Sequence, residues 1–366
     1  MKFIFLLMGA ALLTALLLFS LGCDREVTFE PSDDQASLNS CFTCHGEDGL
    51  LLAAKGEWEN SVHASGSNVD YTNRGGGDDC TRCHDHQGFL DYLATGTVNP
   101  PYDQVSSIHC FTCHSPHDRG NLSLRTEAAY TLENDYVFNH GGANLCVTCH
   151  HSRLSADDIE DSMEVYVYWG PHHGPQGDLL AGTNGYEFND YEYETSPHAY
   201  AVEDGCVGCH MGNVQAHDGY EVGGHSFNME FVNEHTGDTS NLVSICADSA
   251  CHPSTKSYDV DGKQTEIAGL MEELEVLLYD AGIVDSLGRP NGLPYPPVGP
   301  QLIEDKNITG ALLNFLLVKE DRSMGVHNYK YMEGLLESSI EYMESLVPPP
   351  GSSSYPITLL RSRAAH

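Results

Sequence analysis

The chain has 366 residues and a formal net charge of −36, from 53 Asp plus Glu against 17 Lys plus Arg, and it carries 13 cysteines and 20 histidines. This balance excludes nucleic acid as a partner, because no basic face exists to release phosphate counterions. An acidic surface suits cationic or metal-bearing partners and keeps a protein soluble outside the cell. A plain solvated surface is an equally good reading.

Met1-Lys2 is followed by an apolar run from Phe3 to Leu21 and then Gly22-Cys23. A short basic start, an apolar stretch and a small residue before the cut make residues 1–22 an export signal. Cys23, at the cut, reads as the lipid-modified first residue of a bacterial outer-membrane lipoprotein. The usual leucine three residues before the cysteine is replaced by Ser20, with Leu21 one step later. Cleavage elsewhere therefore stays open, as does retention of the run as a membrane anchor, since it is just long enough to span. Residues 23–39 form the lipidated N-terminus and an acidic tether.

Residues 40–255 carry twelve of the cysteines in six pairs, each followed by a histidine. Five pairs have two intervening residues: Cys41, Cys44 and His45; Cys80, Cys83 and His84; Cys110, Cys113 and His114; Cys146, Cys149 and His150; Cys206, Cys209 and His210. The sixth, Cys246, Cys251 and His252, has four. This spacing attaches a c-type haem: two thiols add to the vinyl groups of one porphyrin, and the adjacent imidazole becomes the proximal iron ligand. Zinc would want two pairs facing each other in a tetrahedron and gives no role to the repeated histidine. Disulfides across two residues are redox-active pairs rather than staples. The widened sixth motif must bulge to keep both thiols at the porphyrin edge.

Between these motifs lie Gly, Asn, Asp, Ser and Tyr-rich connections with weak hydrophobic periodicity. Six porphyrins would supply the apolar core that side chains otherwise provide. The expected fold is mainly α with extensive irregular loops, short helices around the motifs and very little sheet, wrapped around a haem row. Asp157, Asp158 and Asp161, or Asp259 with Asp261, are candidate calcium ligands. The second group lacks the rest of an EF-hand loop, so incidental surface charge is the better reading.

Residues 256–347 form a helical C-terminal region. Ile267, Leu270, Met271, Leu274, Leu277 and Leu278 recur at helical spacing, with Glu272, Glu273 and Glu275 opposite. Ile308, Leu312, Phe315 and Leu316 make a second amphipathic segment, and Met332, Leu335, Leu336, Met343 and Leu346 a third. A Pro- and Gly-rich loop from Gly288 to Pro300 separates the first two. These helices should pack together and cover the last haems. Residues 348–366 are a Pro- and Ser-rich tail.

Six histidines serve as proximal ligands, leaving fourteen of the twenty. A low-spin carrier needs a second axial ligand per iron, whereas a catalytic haem keeps that side open. His63 lies between the first two motifs, and Pro116 turns His117 away from its own iron. His172 and His173 lie between Pro171 and Gly174, His198 follows Pro197, His225 follows Gly223-Gly224, and His327 heads the last helix. His86, His109, His140, His151, His173, His217, His235 and His366 otherwise read as surface, propionate-bonding or ligand-supporting residues. His109 and His140 are the strongest competitors for a ligand position.

The chain resembles multihaem c-type cytochromes of metal- and mineral-reducing bacteria over most of its mature length. The likeness rests on Trp58 to Ala64, Gly88 to Leu93, Cys113 to His117, Asn144 to His150, Gly170 to Gln176, Gly223 to Phe227 and Gly325 to Asn328. The segment Ser323 to Asn328 is also similar to one that supplies a distal histidine in pentahaem nitrite reductases. The resemblance implies distal ligands at His63, His117, His172, His198, His225 and His327, six for six irons, with His172 preferred to His173.

Three functions follow. If every iron is capped by two histidines, the chain is an electron wire without a substrate pocket. Its partners are then other multihaem cytochromes, outer-membrane conduit proteins and external electron acceptors. A reductase of a small nitrogen or sulfur oxyanion would need one open haem with basic residues beside it, in which this chain is poor. A homopolymer that continues the haem row as a filament is an extension of the first reading.

Overall fold

A computed structural model describes residues 48–64, 80–98, 102, 105–212, 215–217, 220–232, 236–248, 250–292 and 299–347. The chain divides into two compact units, Met1–Leu52 and Ala53–His366. Of the first, only residues 48–52 are described, where the Asp48 carboxylate accepts from Leu50 N and Leu51 N at 3.1 and 3.2 Å. Cys23, Cys41, Cys44, His45, His235, His366, the tail and the export signal lie outside the described residues.

Helix α1 spans Gly49–Glu59. In the second unit, short helices follow the attachment motifs: α2 (Thr81–His84), α3 (His86–Thr95), α4 (Cys110–Cys113), α5 (Pro116–Arg119), α6 (Ala143–Val147), α7 (Gln176–Ala181), α8 (His198–Ala201), α9 (Cys206–His210) and α10 (Val243–Cys246). Sheet among the described residues is limited to two-stranded antiparallel ladders. They pair β1 (Tyr130–Thr131) with β2 (Val137–Phe138), β3 (Met163–Val165) with β8 (Gln301–Ile303), β4 (Gln215–His217) with β5 (Tyr220–Val222), and β6 (Glu230–Val232) with β7 (Thr239–Asn241). The architecture is that of a mainly α, loop-rich chain.

The C-terminal helices are α11 (Lys263–Asp280), α12 (Lys306–Asp321) and α13 (Tyr329–Ser345). Helix α11 buries Ile267, Met271, Leu274 and Leu278 along one stripe and exposes Glu272 and Glu273. Helix α12 is buried nearly all round, from Ile308 to Val318, as expected of a helix apolar on every face. The Asp305 carboxylate caps it, accepting from Asn307 N at 2.8 Å, which satisfies one of the orphan amides of the first turn. Helix α13 is capped by the Asn328 side chain, which accepts from Tyr331 N at 3.4 Å.

This apolar core reaches back into the motif-bearing region. Val165, Trp169 and Leu179 pack in the same cluster as Ile267, Leu312, Phe315 and Leu335. The β3–β8 ladder, with Met163 opposite Ile303 and Val165 opposite Gln301, ties the two stretches together. A smaller cluster of Leu132, Phe138, Ala143, Val147 and Leu180 lies beside Cys206. The turn between α12 and α13 is thereby held against the motifs, and it carries His327.

Among the described residues no three His, Cys, Asp or Glu side chains converge to hold a metal ion by themselves. Asp259 has another use. Its carboxylate accepts from Gln264 N at 2.8 Å and Thr265 Oγ1 at 2.6 Å, closing the start of α11.

Candidate metal centres

Each described motif begins or ends a short turn of helix, which brings its histidine back over its first cysteine. His84 N donates to Cys80 O at 3.0 Å, His114 N to Cys110 O at 2.9 Å and His150 N to Cys146 O at 2.9 Å. The widened motif makes the same closure: His252 N donates to Cys246 O at 3.1 Å. Within it, Cys251 N donates to Asp248 O at 3.1 Å. Among the described residues, none of the ten motif cysteines is in a disulfide.

The motif histidines face histidines far away in the chain. Ring centroids lie 6.1 Å apart for His150 and His63, 6.3 Å for His84 and His172, and 6.3 Å for His114 and His225. They lie 5.9 Å apart for His252 and His198 and 6.2 Å for His210 and His327. Two imidazoles on opposite faces of one metal ion, with bonds of about 2 Å and ring centres about 1.1 Å behind each nitrogen, should stand about 6.3 Å apart. The five pairs match that span, so the residues present fit a haem iron between each pair. His86 and His109, at 4.2 Å, are too close for it. His117, on α5, lies 5.8 Å from the Phe111 ring. The remaining motif histidine, His45, lies outside the described residues.

The second ring nitrogen of most of these histidines is held by a distinct acceptor, which fixes the tautomer and leaves Nε2 for a metal. His210 Nδ1 is 2.9 Å from Phe227 O and His198 Nδ1 2.6 Å from Val326 O. His150 Nδ1 is 3.1 Å from Gln176 Oε1, and His114 Nδ1 3.4 Å from Ser123 O. Carboxylates serve the last two: Asp321 Oδ1 at 2.6 Å from His327 Nδ1, and Glu57 Oε2 at 3.4 Å from His225 Nδ1.

Burial shifts six of these imidazoles towards the neutral, ligating form. His63 is lowered to about 4 by burial and by His150 beside it, and His172 to about 4 by burial and then Arg153. His84, His114, His150 and His210 are lowered for the same first reason. His327 goes the other way, because the charge and hydrogen bond of Asp321 outweigh its burial.

Attachment motifs also touch one another. Cys83 Sγ lies 3.8 Å from Thr148 O, and Cys149 Sγ 3.9 Å from Arg82 O. The Arg153 guanidinium donates to Cys83 Sγ at 3.1 Å. The second and fourth motifs are therefore back to back.

The other histidines have structural partners. His173 bonds Glu320 at 2.5 Å. His86 Nδ1 is 2.9 Å from Thr112 Oγ1, and His109 caps α4, accepting from Phe111 N at 3.3 Å. His140 packs on Phe138 at 4.5 Å. His151 is no surface residue: it is fully buried, with Nδ1 2.8 Å from Val147 O. His217 falls in β4. Sequence reasoning missed Glu57, Phe227 and Asp321, since nothing in their local pattern marks a residue that acts on a distant imidazole.

No protein-family model matches the chain. It is 21% identical, over 426 aligned positions, to the C-type polyheme cytochrome OmcB of two Geobacter sulfurreducens strains. That alignment covers 83% of this chain and 54% of the relative, so the chain spans about half the length of the curated relatives it matches. Among solved structures it is similar to the outer cell wall cytochrome OcwA, with 20% identity, TM-score 0.47, and coverage of 78% of this chain and 49% of that one. It is also similar to an undecaheme cytochrome from the S-layer of Carboxydothermus ferrireducens, with 21% identity, TM-score 0.46, and coverage of 77% and 40%. Its repeated Cys-x-x-Cys-His motifs together with this sequence relationship support a multihaem c-type cytochrome of the extracellular electron transfer type.

Proposed function

We propose that the chain passes electrons through six covalently attached haem c groups, each capped by two histidines, in respiration to acceptors outside the cell. The carrying observation is that five motif histidines face five different distant histidines at 5.9–6.3 Å. When bound, haem iron supplies one-electron chemistry, and two imidazole ligands leave no face for a substrate.

The residues divide the work. The paired thiols of Cys80 and Cys83, Cys110 and Cys113, Cys146 and Cys149, Cys206 and Cys209, and Cys246 and Cys251 tether the porphyrins, as do Cys41 and Cys44. His84, His114, His150, His210 and His252 hold the proximal side, and His172, His225, His63, His327 and His198 the distal side, in that order. His117 is the sixth distal candidate. The acceptors on Nδ1 hold each ring in orientation. The carboxylate-rich surface favours positively charged or metal-bearing partners, including other cytochromes and mineral surfaces. Residues 1–22 direct export and Cys23 carries the lipid anchor. No described helix is long and apolar enough to cross a membrane.

Mass spectrometry and low-temperature EPR of the intact holoprotein test this reading. Six covalent haems with only low-spin iron are expected. Fewer haems, or a high-spin signal that responds to nitrite or hydroxylamine, would replace the wire by the reductase.

A further inference from the structure

Phe227 stands where three of the histidine pairs meet. Its ring lies 4.9 Å from His63, edge to face at 72°, and 6.2 Å from His225 at 71°. Its carbonyl accepts from His210 Nδ1 at 2.9 Å. These three histidines belong to different pairs, facing His150, His114 and His327 respectively.

These contacts accompany an unusual backbone. Phe227 has φ 59° and ψ 1°, the left-handed conformation, just after the 3-10 turn Gly224–Ser226. A bulky residue is rare there, and the conformation is strained. Glycine would adopt it freely.

The neighbours hold the strained turn in place. Gly223 N donates to Asn228 O at 2.9 Å, Asn228 Nδ2 to Asn60 O at 3.1 Å, and His225 N to the Glu57 carboxylate at 2.8 Å. Asn60 and Glu57 flank the approach to His63, so the turn is fastened to the segment that carries that histidine. The residue at this left-handed position is aromatic, and its ring meets two imidazoles.

We infer that Phe227 is a positioning residue that couples three iron sites, its ring setting the His63 and His225 imidazoles and its carbonyl setting His210. The inference rests on the haem-ligand reading above. On this arrangement the sites form a junction rather than a simple row. His63–His150 shares Phe227 with two other pairs, while the motif that bears His150 abuts the second motif through Cys83 and Cys149.

The test uses the full-length holoprotein, by low-temperature EPR and spectroelectrochemical titration. His63→Met, His225→Met and His327→Met each mark one transition for assignment. Phe227→Gly keeps the left-handed backbone and removes the ring, so the His63 and His225 sites should shift while the His210 site stays. Phe227→Val drives the backbone out of that conformation, so all three should shift. Phe227→Tyr should restore the parental pattern. Unchanged signals in the glycine variant overturn the inference, as does a shift spread equally over the His84–His172 and His198–His252 sites. Should the valine variant fail to fold, the glycine and tyrosine variants decide alone. High-spin iron in the unsubstituted protein would instead defeat the ligand reading, so the two failures are distinguishable.

Discussion

His327 Nδ1 lies 2.6 Å from Asp321 Oδ1, and the Asp321 side chain is fully buried. A carboxylate behind a ligating imidazole makes it a stronger donor, which favours the oxidised metal. Asp321 is itself fixed by Ser323 N at 3.1 Å. Asp321→Asn should therefore raise the potential of one transition. A tenfold change in ferric over ferrous preference corresponds to about 59 mV for one electron. Spectroelectrochemical titration reads this directly, and a titration curve identical to the parent would remove Asp321 from the tuning of that site.

His172 and His173 are adjacent and both left-handed, at φ 61° and 59°. His172 looks at His84 and His173 at Glu320. His172→Met should move one transition upward and leave the rest in place. His173→Ala should move none and cost less than about 1 kcal/mol, because an exposed ion pair contributes little. The reverse result would exchange the two assignments.

The three C-terminal helices were legible because their apolar residues recur at helical spacing, and the attachment motifs because thioether chemistry fixes their spacing. His63, His172, His198, His225 and His327 were distal candidates only through the family resemblance of the segments that carry them. Which motif each would face was not legible. His150 meets His63 and His252 meets His198 through tertiary packing that no local pattern encodes. The same holds for Asp321 and Phe227, whose roles are defined by where another segment places an imidazole. The reach of the C-terminal core to Val165 and Leu179 was also hidden, because those residues sit in stretches too irregular to show a period.

Gly310, in the middle of α12, tests that core. A Cβ there would fall on the Tyr186 ring. That ring is pinned by Tyr186 OH donating to Asn307 at 2.7 Å and by Tyr186 N donating to Asn314 at 2.8 Å. Gly310→Ala should cost about 1–3 kcal/mol as overpacking and lower the Tm by several degrees. The iron signals should keep their parental form. A Tm within a degree of the parent would show that Tyr186 is freer than this packing implies.

Asp178 gives the protein a pH-dependent stability of unusual sign. It is fully buried, with Oδ2 accepting from Ser152 N at 2.7 Å and Oδ1 from Asn184 Nδ2 at 2.8 Å. Burial raises its pKa from 3.8 to about 6 in spite of these donors. Between those values the folded state holds a proton that the unfolded chain has released. Stability therefore falls as pH rises through about 4 to 6, by about 3 kcal/mol when the shift is converted at 1.36 kcal/mol per unit. Repulsion among the surface carboxylates runs in the same direction, so the contribution of Asp178 has to be read as a difference. Asp178→Asn cannot titrate. It also puts an amide N–H against one of the two donors, a cost of about 1–3 kcal/mol. Denaturant midpoints of the two holoproteins should converge from pH 4.5 to pH 7, the parent losing its advantage over the variant as it is forced to carry a buried charge. Parallel curves across that range would mean that the Ser152 and Asn184 bonds keep Asp178 ionised throughout.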